Sequence, residues 1–370
     1  MSRKAPVSEP AERKGTRQQN HSGKGSTVMS RNASASEPSV GVSPATNPQW
    51  NWHPSLPIAN SPLFELPPRP GAIVRWFAKS WLRLSMTVLV LGSATLTWIF
   101  LHPALERSVT FEFGWIAQIL LRNLVLTVVL AGSLHLYFHT FRKQDAQRRF
   151  MKPGAERRHR RFTWGDQVLD NMFWTLASGV PIWSAYEVVY LWAHANGYLP
   201  TLDWASSPGA LALLFVLTPL WLSFHFYWIH RLLHWRPLYR MAHSLHHRNV
   251  DTGPWSGISM HPLEHLLYFS SILIHLVVPS NPLLMLFHMQ AQALNPLASH
   301  SGFADLQVRG EGRLALGEFH HQLHHRHLDC NYGTVDVPLD KWFDSFHDGT
   351  PEAIKDMRMR RLRRRAGLGR

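Results

Sequence analysis

The sequence predicts an all-α integral membrane protein: a bundle of about four transmembrane helices, plus a hydrophobic hairpin that spans or re-enters the membrane. A cytoplasmic, histidine-rich helical cap completes it. Three observations carry this expectation. Apolar stretches recur at close to the ~20 residues a helix needs to cross a bilayer. Lys and Arg concentrate in one inter-span loop and in both tails. Of 24 histidines, 17 fall between His225 and His347.

Residues 1–70 are rich in Ser, Pro, Asn, Lys and Arg and poor in aliphatics. They bury too little apolar surface to offset the entropy of ordering, so a disordered basic tail is expected. They lack the apolar core of a secretory signal. Residues 75–229 hold the spans and a basic cytoplasmic loop. Leu84 to Leu101 is 18 residues without a charge. Leu124 to Phe138 reaches spanning length if extended back to Trp115, across Arg122. Met172 to Ala193 is apolar apart from Glu187, and Gly209 to Ile229 is 21 uncharged residues. Trp and Tyr gather near the ends, as at membrane interfaces.

The net charge of +14 raises nucleic acid as a partner, but its placement does not support one. The positive residues lie in the N-terminal tail, between Arg142 and Arg161, and in the closing "RMRRLRRRAGLGR". No aromatic-basic platform accompanies them, so they read as basic flanks of a membrane protein. The loop "FRKQDAQRRFMKPGAERRHRRF" holds nine Lys/Arg, whereas "NGYLPTLDWASS" holds none. The positive-inside rule then places both termini, the basic loop and the cap in the cytoplasm. A chain of this length with such a loop is compatible with a bacterial inner membrane. A lone cysteine, Cys330, excludes a disulfide framework and a Cys-based zinc finger.

Residues 230–350 form the expected metal-binding region, interrupted by apolar Leu266 to Val278, "PSNP", and Leu283 to Leu297. Pro279 and Pro282 break any continuous helix there. Residues 351–370 are a basic C-terminal tail. Three short boxes recur: "HRLLH" (His230, His234), "HSLHH" (His243, His246, His247) and "HQLHH" (His321, His324, His325). Residues three or four apart share a helix face, so each box is expected to aim all its imidazoles at one point. Eight convergent imidazoles exceed what one tetrahedral zinc uses. They suit two ions, with Fe, Zn, Cu and Ni all acceptable to neutral imidazole. His261 and His300 are candidate additions. His225, His265, His320 and His327 stay open as ligands, and the isolated histidines, such as His102, His275 and His347, read as ordinary core or surface residues.

Two rival readings use the same residues. "HPLEH" fits an inverted zinc-peptidase pattern, with His261, Glu264 and His265, but leaves the other boxes without a role. A metal-binding or transport protein without turnover is the second.

The order of "FYWIHRLLH", "HSLHH", "HPLEH", "SHSG", "HHQLHH", "CNYGT" and "WFDSFHDGT" resembles the sterol desaturase/fatty acid hydroxylase superfamily of membrane di-iron enzymes, over about Trp221 to Thr350. The closing "SFHDGT" carries two polar residues more than the family's usual end. The resemblance implies that His230, His234, His243, His246, His247, His321, His324 and His325 are catalytic metal ligands, with His261 and His300 completing the set. It implies two Fe ions, O2 as co-substrate, and attack on an unactivated C–H bond of a lipid, as a hydroxylase or a desaturase. Glu264, Asp336 and Asp340 are candidates to orient the ligand rings. The sequence shows no dinucleotide fingerprint and no haem-binding module, so electrons are expected from a separate redox protein. Asn331, Tyr332, Gly333, Trp342, Asp344, Gly349 and Thr350 match the family's later motifs and read as structural.

Overall fold

The computed structural model describes residues 50–152 and 159–366; the expected disorder of the first 49 residues lies outside the described residues. Helix α1 (Pro70–Phe77) starts on a proline, whose missing N–H costs nothing in a first turn. It runs on through a π-helical turn, Ala78–Leu82. Ser85 then stands in extended backbone, and its hydroxyl accepts the N–H of Val88 at 3.3 Å, which starts α2 (Met86–Leu96). Helix α3 (Phe113–His135) continues through a π-helical turn to Thr140. Helices α4 (Gln167–Trp174) and α5 (Val180–Ala195) are joined by another such turn, and α6 (Pro208–Leu233) follows.

Among the described residues, three helical segments are long and apolar enough to cross a membrane: Pro70–Leu101, Phe113–Thr140 and Pro208–Leu233. The protein is thus a predominantly helical membrane protein. The fourth expected span, Met172 to Ala193, lies inside the continuous helix formed by α4 and α5. Its Glu187 and the Arg122 of α3 are paired, both fully enclosed. Asn123 donates to Glu187 Oε2 and to Ser184 Oγ, each at 3.1 Å. The two charges that interrupt the apolar runs therefore neutralise each other inside the bundle, where an isolated charge would be costly. Helix α3 exposes Leu121, Val125 and Val129, the apolar-out arrangement a lipid environment favours.

The expected hairpin has two unequal arms. Helix α8 (Pro262–Phe269) is short and ends in a 3-10 turn, Ser270–Leu276. Helix α9 (Pro282–Ser299) begins on Pro282, with Asn281 capping Leu284 N–H at 2.9 Å. It packs against α2, α3, α5 and α6 and is buried along nearly its whole length. Its central polar residue is satisfied there: Gln290 accepts from Ser93 at 2.7 Å and donates to Thr97 at 2.9 Å. The second arm of the hairpin is thus the central helix of the bundle.

The cap comprises the single turn α7 (Arg236–Leu238), α10 (Phe319–His327), the short α11 (Leu339–Trp342) and α12 (Pro351–Arg365). An antiparallel hairpin, β1 (Asp305–Val308) with β2 (Glu311–Ala315), is a small departure from an all-α fold. Its turn uses left-handed Arg309 and Gly310, the pattern of a tight hairpin. The basic loop is tied to the cap: Arg149 pairs with Asp251 at 2.6 Å, and Phe150 N–H donates to the Gly302 carbonyl at 3.0 Å.

Two expected tail boundaries move. Residues 50–69 are ordered, because Trp50, Trp52, Leu56 and Ile58 provide apolar surface that packs with Phe150 and Phe319. Trp50 meets the Phe319 ring edge-on at 4.9 Å. At the other end α12 docks through buried Met357 and an Arg361–Asp329 pair at 2.7 Å.

Candidate metal centre

The last turns of α6 place His230 and, at the helix end, His234 on one face. The second box lies on a π-helical turn, Tyr239–His243, followed by a 3-10 turn, His246–Arg248. The third lies on α10. Nine histidines converge in two groups, the ligand nitrogens of each group lying within 4.8 Å of one another. The first is His230, His234, His243, His247 and His324; the second is His246, His300, His321 and His325.

This corrects the expectation that each box serves one point. In both HxxHH boxes the outer i,i+4 pair enters one group and the middle histidine enters the other. His243 and His247 join the first group, and His246 the second. His321 and His325 join the second group, and His324 the first.

Within the first group His243 Nε2 lies 3.1 Å from His234 Nε2 and 3.0 Å from His247 Nε2, and His324 Nε2 lies 3.1 Å from His247 Nε2. In the second, His300 Nε2 is 3.1 Å from His325 Nε2 and 3.2 Å from His321 Nε2. The other ring nitrogens fix the tautomers. Nδ1 of His230 donates to the Tyr332 carbonyl at 2.6 Å, and that of His324 to the Cys330 carbonyl at 2.6 Å. Nδ1 of His300 donates to the Pro296 carbonyl at 3.0 Å, and that of His246 to the Ser259 carbonyl at 3.3 Å. A carbonyl only accepts, so these Nδ1 atoms carry the hydrogen and Nε2 is a bare lone pair. His243 Nδ1 is 2.7 Å from Glu264 Oε1, the carboxylate–histidine pairing that supports metal ligands.

Bare lone pairs converging at about 3 Å repel unless a cation sits among them. Ligands 2.0–2.1 Å from one ion stand roughly 2.9–3.4 Å apart for angles between 90° and tetrahedral, which the observed separations match. Burial, then the neighbouring imidazoles, holds His247, His300, His321, His324 and His325 well below the usual histidine range. Burial takes His243 down to about 3 and His246 to about 4. Neutral imidazole is the ligating form, so the donor set fits two transition-metal ions.

His261 is not brought into either group. Pro262 opens α8 and leaves His261 as its cap, with the ring accepting Leu263 N–H at 3.2 Å. His265 is engaged at both nitrogens, by Ser178 Oγ at 2.9 Å and the Ile258 carbonyl at 2.9 Å. "HPLEH" therefore does not assemble a peptidase-type zinc site. His225 bonds Ser270 at 3.1 Å, His320 lies 3.6 Å from Asp340, and His327 stacks on His347 with centroids 5.1 Å apart. None of these enters a group.

Asp340 holds the loop behind the first group. Its Oδ1 accepts Tyr332 N–H at 2.8 Å and its Oδ2 accepts Gly333 N–H at 2.7 Å. Asn331, in left-handed backbone at φ 55°, ties that loop to the His320 and His347 carbonyls. The backbone carbonyls that orient the rings carried no signal in the sequence, because their role depends on the loop's path and not on side-chain identity.

A cavity of 220 Å³ runs from Thr87 and Phe287 in the bundle to His230, His243, His246, His300 and His321. Its walls include Leu222, Phe226, Met260 and Ala291, and three carboxyl groups, Glu264, Glu318 and Asp336. Burial and the Asp336 charge push Glu318 above the usual carboxylate range, and burial pushes Asp336 the same way.

Residues 215–345 match the family model described as fatty acid hydroxylase. A Delta(7)-sterol 5(6)-desaturase of Gibberella zeae is 25% identical over 229 residues, covering 60% of this chain and 66% of that protein. A putative Delta(7)-sterol-C5(6)-desaturase of Arabidopsis thaliana is 27% identical over 181 residues, covering 48% and 61%. A Delta(7)-sterol 5(6)-desaturase of Aspergillus fumigatus is 28% identical over 165 residues, covering 37% and 51%. The chain spans half to two-thirds of the length of these relatives. All three are eukaryotic and lend no support to a bacterial inner membrane. No solved structure matches the chain.

Proposed function

The chain belongs to the sterol desaturase/fatty acid hydroxylase superfamily, and from that premise we propose that it is a membrane-bound, O2-dependent oxidoreductase that hydroxylates or desaturates a lipid. The observation that carries the reading is the pair of histidine groups at the end of a cavity that extends into the bundle. His230, His234, His243, His247 and His324 would hold one iron, and His246, His300, His321 and His325 the other. A bound iron pair supplies the redox chemistry that activates O2 against an unactivated C–H bond.

The protein's own groups set the geometry for that chemistry. Carbonyls of Cys330, Tyr332, Ser259 and Pro296 fix ring orientation and keep each Nε2 free for metal. Glu264 holds the N–H of His243. Phe226, Leu222 and Met260 line the approach with apolar surface, which suits a lipid chain or ring and excludes water. Electrons come from a separate donor protein, and the cap with both termini faces the cytoplasm, where the basic loop lies.

Metal analysis with product detection tests the reading. The purified chain should hold about two irons and, given reductant, O2 and candidate lipids, yield a product 16 mass units heavier or 2 lighter. His324→Ala should abolish product formation and leave membrane insertion intact. One zinc per chain, or activity retained in that variant, would overturn the proposal.

A further inference from the structure

A second cavity, of 340 Å³, lies at the end of the bundle opposite the histidine groups. The turn that ends α2, the end of α5, the loop after α5 and the start of α9 meet there. Helix α9 opens beside it and carries His300 past its other end, 18 residues on, or roughly 27 Å away. The wall holds three rings, Trp98, His194 and Trp204. Each is backed by a ring outside the cavity. His102 lies against Trp98 with centroids 4.5 Å apart, Tyr190 against His194 at 5.9 Å, and Phe215 against Trp204 at 5.9 Å. The loop is tied down as well: Leu202 N–H donates to the Ser280 carbonyl at 2.9 Å, and Ser280 N–H to the Pro200 carbonyl at 3.2 Å. The wall is thus built before a ligand arrives, which spares the cost of ordering it. Among the described residues Asp203 lines this cavity and no Lys or Arg does. Asp203 accepts the Ala205 N–H at 3.0 Å and forms no ion pair within 4.0 Å. His194 Nδ1 is shielded from solvent and has no hydrogen-bond partner.

Tryptophan at a bundle end is ordinary in a membrane protein. Three buttressed rings around one cavity, with a carboxylate and no cation beside it, are more than an interfacial belt. Aromatic faces are electron-rich and Asp203 adds a full charge, so the wall favours a cation and repels an anion. A metal ion needs several oxygen ligands, and the wall offers one carboxylate. A primary ammonium needs acceptors for three N–H groups, whereas Leu202, Pro282 and Leu283 supply apolar surface. Methyl groups around a positive nitrogen match the rings, the apolar wall and the carboxylate together. We propose that this cavity binds a quaternary ammonium group, carried by a lipid headgroup or by a free solute. The site is separate from the metal centre and stands whether or not the oxidation proposed above does.

The test is equilibrium binding of radiolabelled choline to the full chain in a neutral maltoside detergent, at about pH 8, where an imidazole is neutral. Choline should bind about ten-fold tighter or more than its uncharged tert-butyl analogue and than ethanolamine, both read by competition. Trp98→Leu should weaken choline about two- to thirty-fold, the range for a cation over one ring. Asp203 is exposed, and Asn keeps an acceptor for the Ala205 N–H, so Asp203→Asn leaves the fold intact. That variant should weaken choline about two- to five-fold, and added salt should shrink the difference. Short-chain phosphatidylcholine and phosphatidylglycerol of matched chains separate the two sources. Phosphatidylcholine binding about ten-fold tighter than choline, through the buried methylenes of its chains, and tighter than phosphatidylglycerol, assigns the site to a headgroup. Choline binding at least as tightly as the lipid assigns it to a solute, and either result upholds the class. A wild type in which the tert-butyl analogue or ethanolamine competes as well as choline overturns the proposal, and that result needs no variant to fold. So does wild-type affinity for choline in both folded variants.

Discussion

Replacing Asp340 with Asn probes how the loop after the third box governs the first metal group. Asp340 is 1% exposed and accepts three hydrogen bonds: from Tyr332 N–H at 2.8 Å, Ser345 Oγ at 2.7 Å and Gly333 N–H at 2.7 Å. Asparagine has one acceptor oxygen. If that oxygen takes the Oδ1 position, the new amide NH2 faces the Gly333 N–H, donor against donor. Flipping the amide turns its NH2 on the Tyr332 N–H in place of the Gly333 N–H, while the Ser345 hydroxyl can rotate to accept. Either way one buried N–H is left unsatisfied, about 1–3 kcal/mol, and the two remaining bonds weaken with loss of the charge. The Tyr332 carbonyl that orients His230, and the Cys330 carbonyl that orients His324, sit on this loop. Loss of such support typically costs about 10–100-fold in metal affinity, or roughly 1.4–2.7 kcal/mol, which is the scale of the bond removed. The orienting carbonyls of the second group, Ser259 and Pro296, lie elsewhere. Stepwise chelation of Asp340→Asn, with metal counted by mass spectrometry, should therefore release one ion at about 10–100-fold lower chelator and the other at the wild-type concentration. Equal sensitivity of both ions, or no change in either, would refute the reasoning.

Four further outcomes follow from the same geometry. Arg122→Met or Glu187→Leu alone should each destabilise by about 3–5 kcal/mol in thermal unfolding in detergent, and the double variant should recover most of the loss. Gly257→Ala would put a Cβ 2.3 Å from the Pro296 carbonyl oxygen and 2.7 Å from Leu297 N. Neither backbone atom yields easily, so the midpoint should fall, by about 1–3 kcal/mol; because His300 bonds that same carbonyl, the second ion should be lost first. Glu264→Gln keeps an acceptor for the His243 N–H and should retain metal, whereas Glu264→Ala should weaken binding about 10–100-fold, read by the same chelator titration. Raising ionic strength should slow turnover with an acidic donor protein and leave turnover with a small neutral reductant unchanged, since charge complementarity acts mainly on encounter.

The boxes were legible because helical periodicity is local, and what was misread in them has a local cause as well. Successive helix residues are about 100° apart, so His324 and His325 on α10 point to different sides and cannot readily serve one small coordination sphere. The i,i+4 spacing links His321 with His325, and the i+3 position falls to the other flank. His261 stays outside both groups for a related reason: its i,i+4 relation to His265 counts only inside a helix, and Pro262 starts the helix one residue too late. Other features depended on partners far along the chain. Arg122 and Glu187 each look like a blemish in an apolar run until the bundle sets them together. Helix α9 reads as a weak span because His288, Gln290, Gln292 and Asn295 lower its hydropathy, yet its neighbours supply partners for the first three that let it sit at the centre.

The division of each HxxHH box has a mechanical consequence. Neither group is a property of one segment: the second box and the third each feed both, and α6 and the residue after α9 add the remainder. A shift of α10 large enough to disturb His324 in the first group also moves His321 and His325 in the second. The backbone supports, by contrast, are separate, with Cys330 and Tyr332 behind one group and Ser259 and Pro296 behind the other. Shared helices thus fix the spacing between the two groups, while independent loops tune each one. That arrangement would suit two bound ions acting together on one molecule, since the spacing of the two histidine groups is set by the rigid turns of α10 and of the second box, and not by the loops.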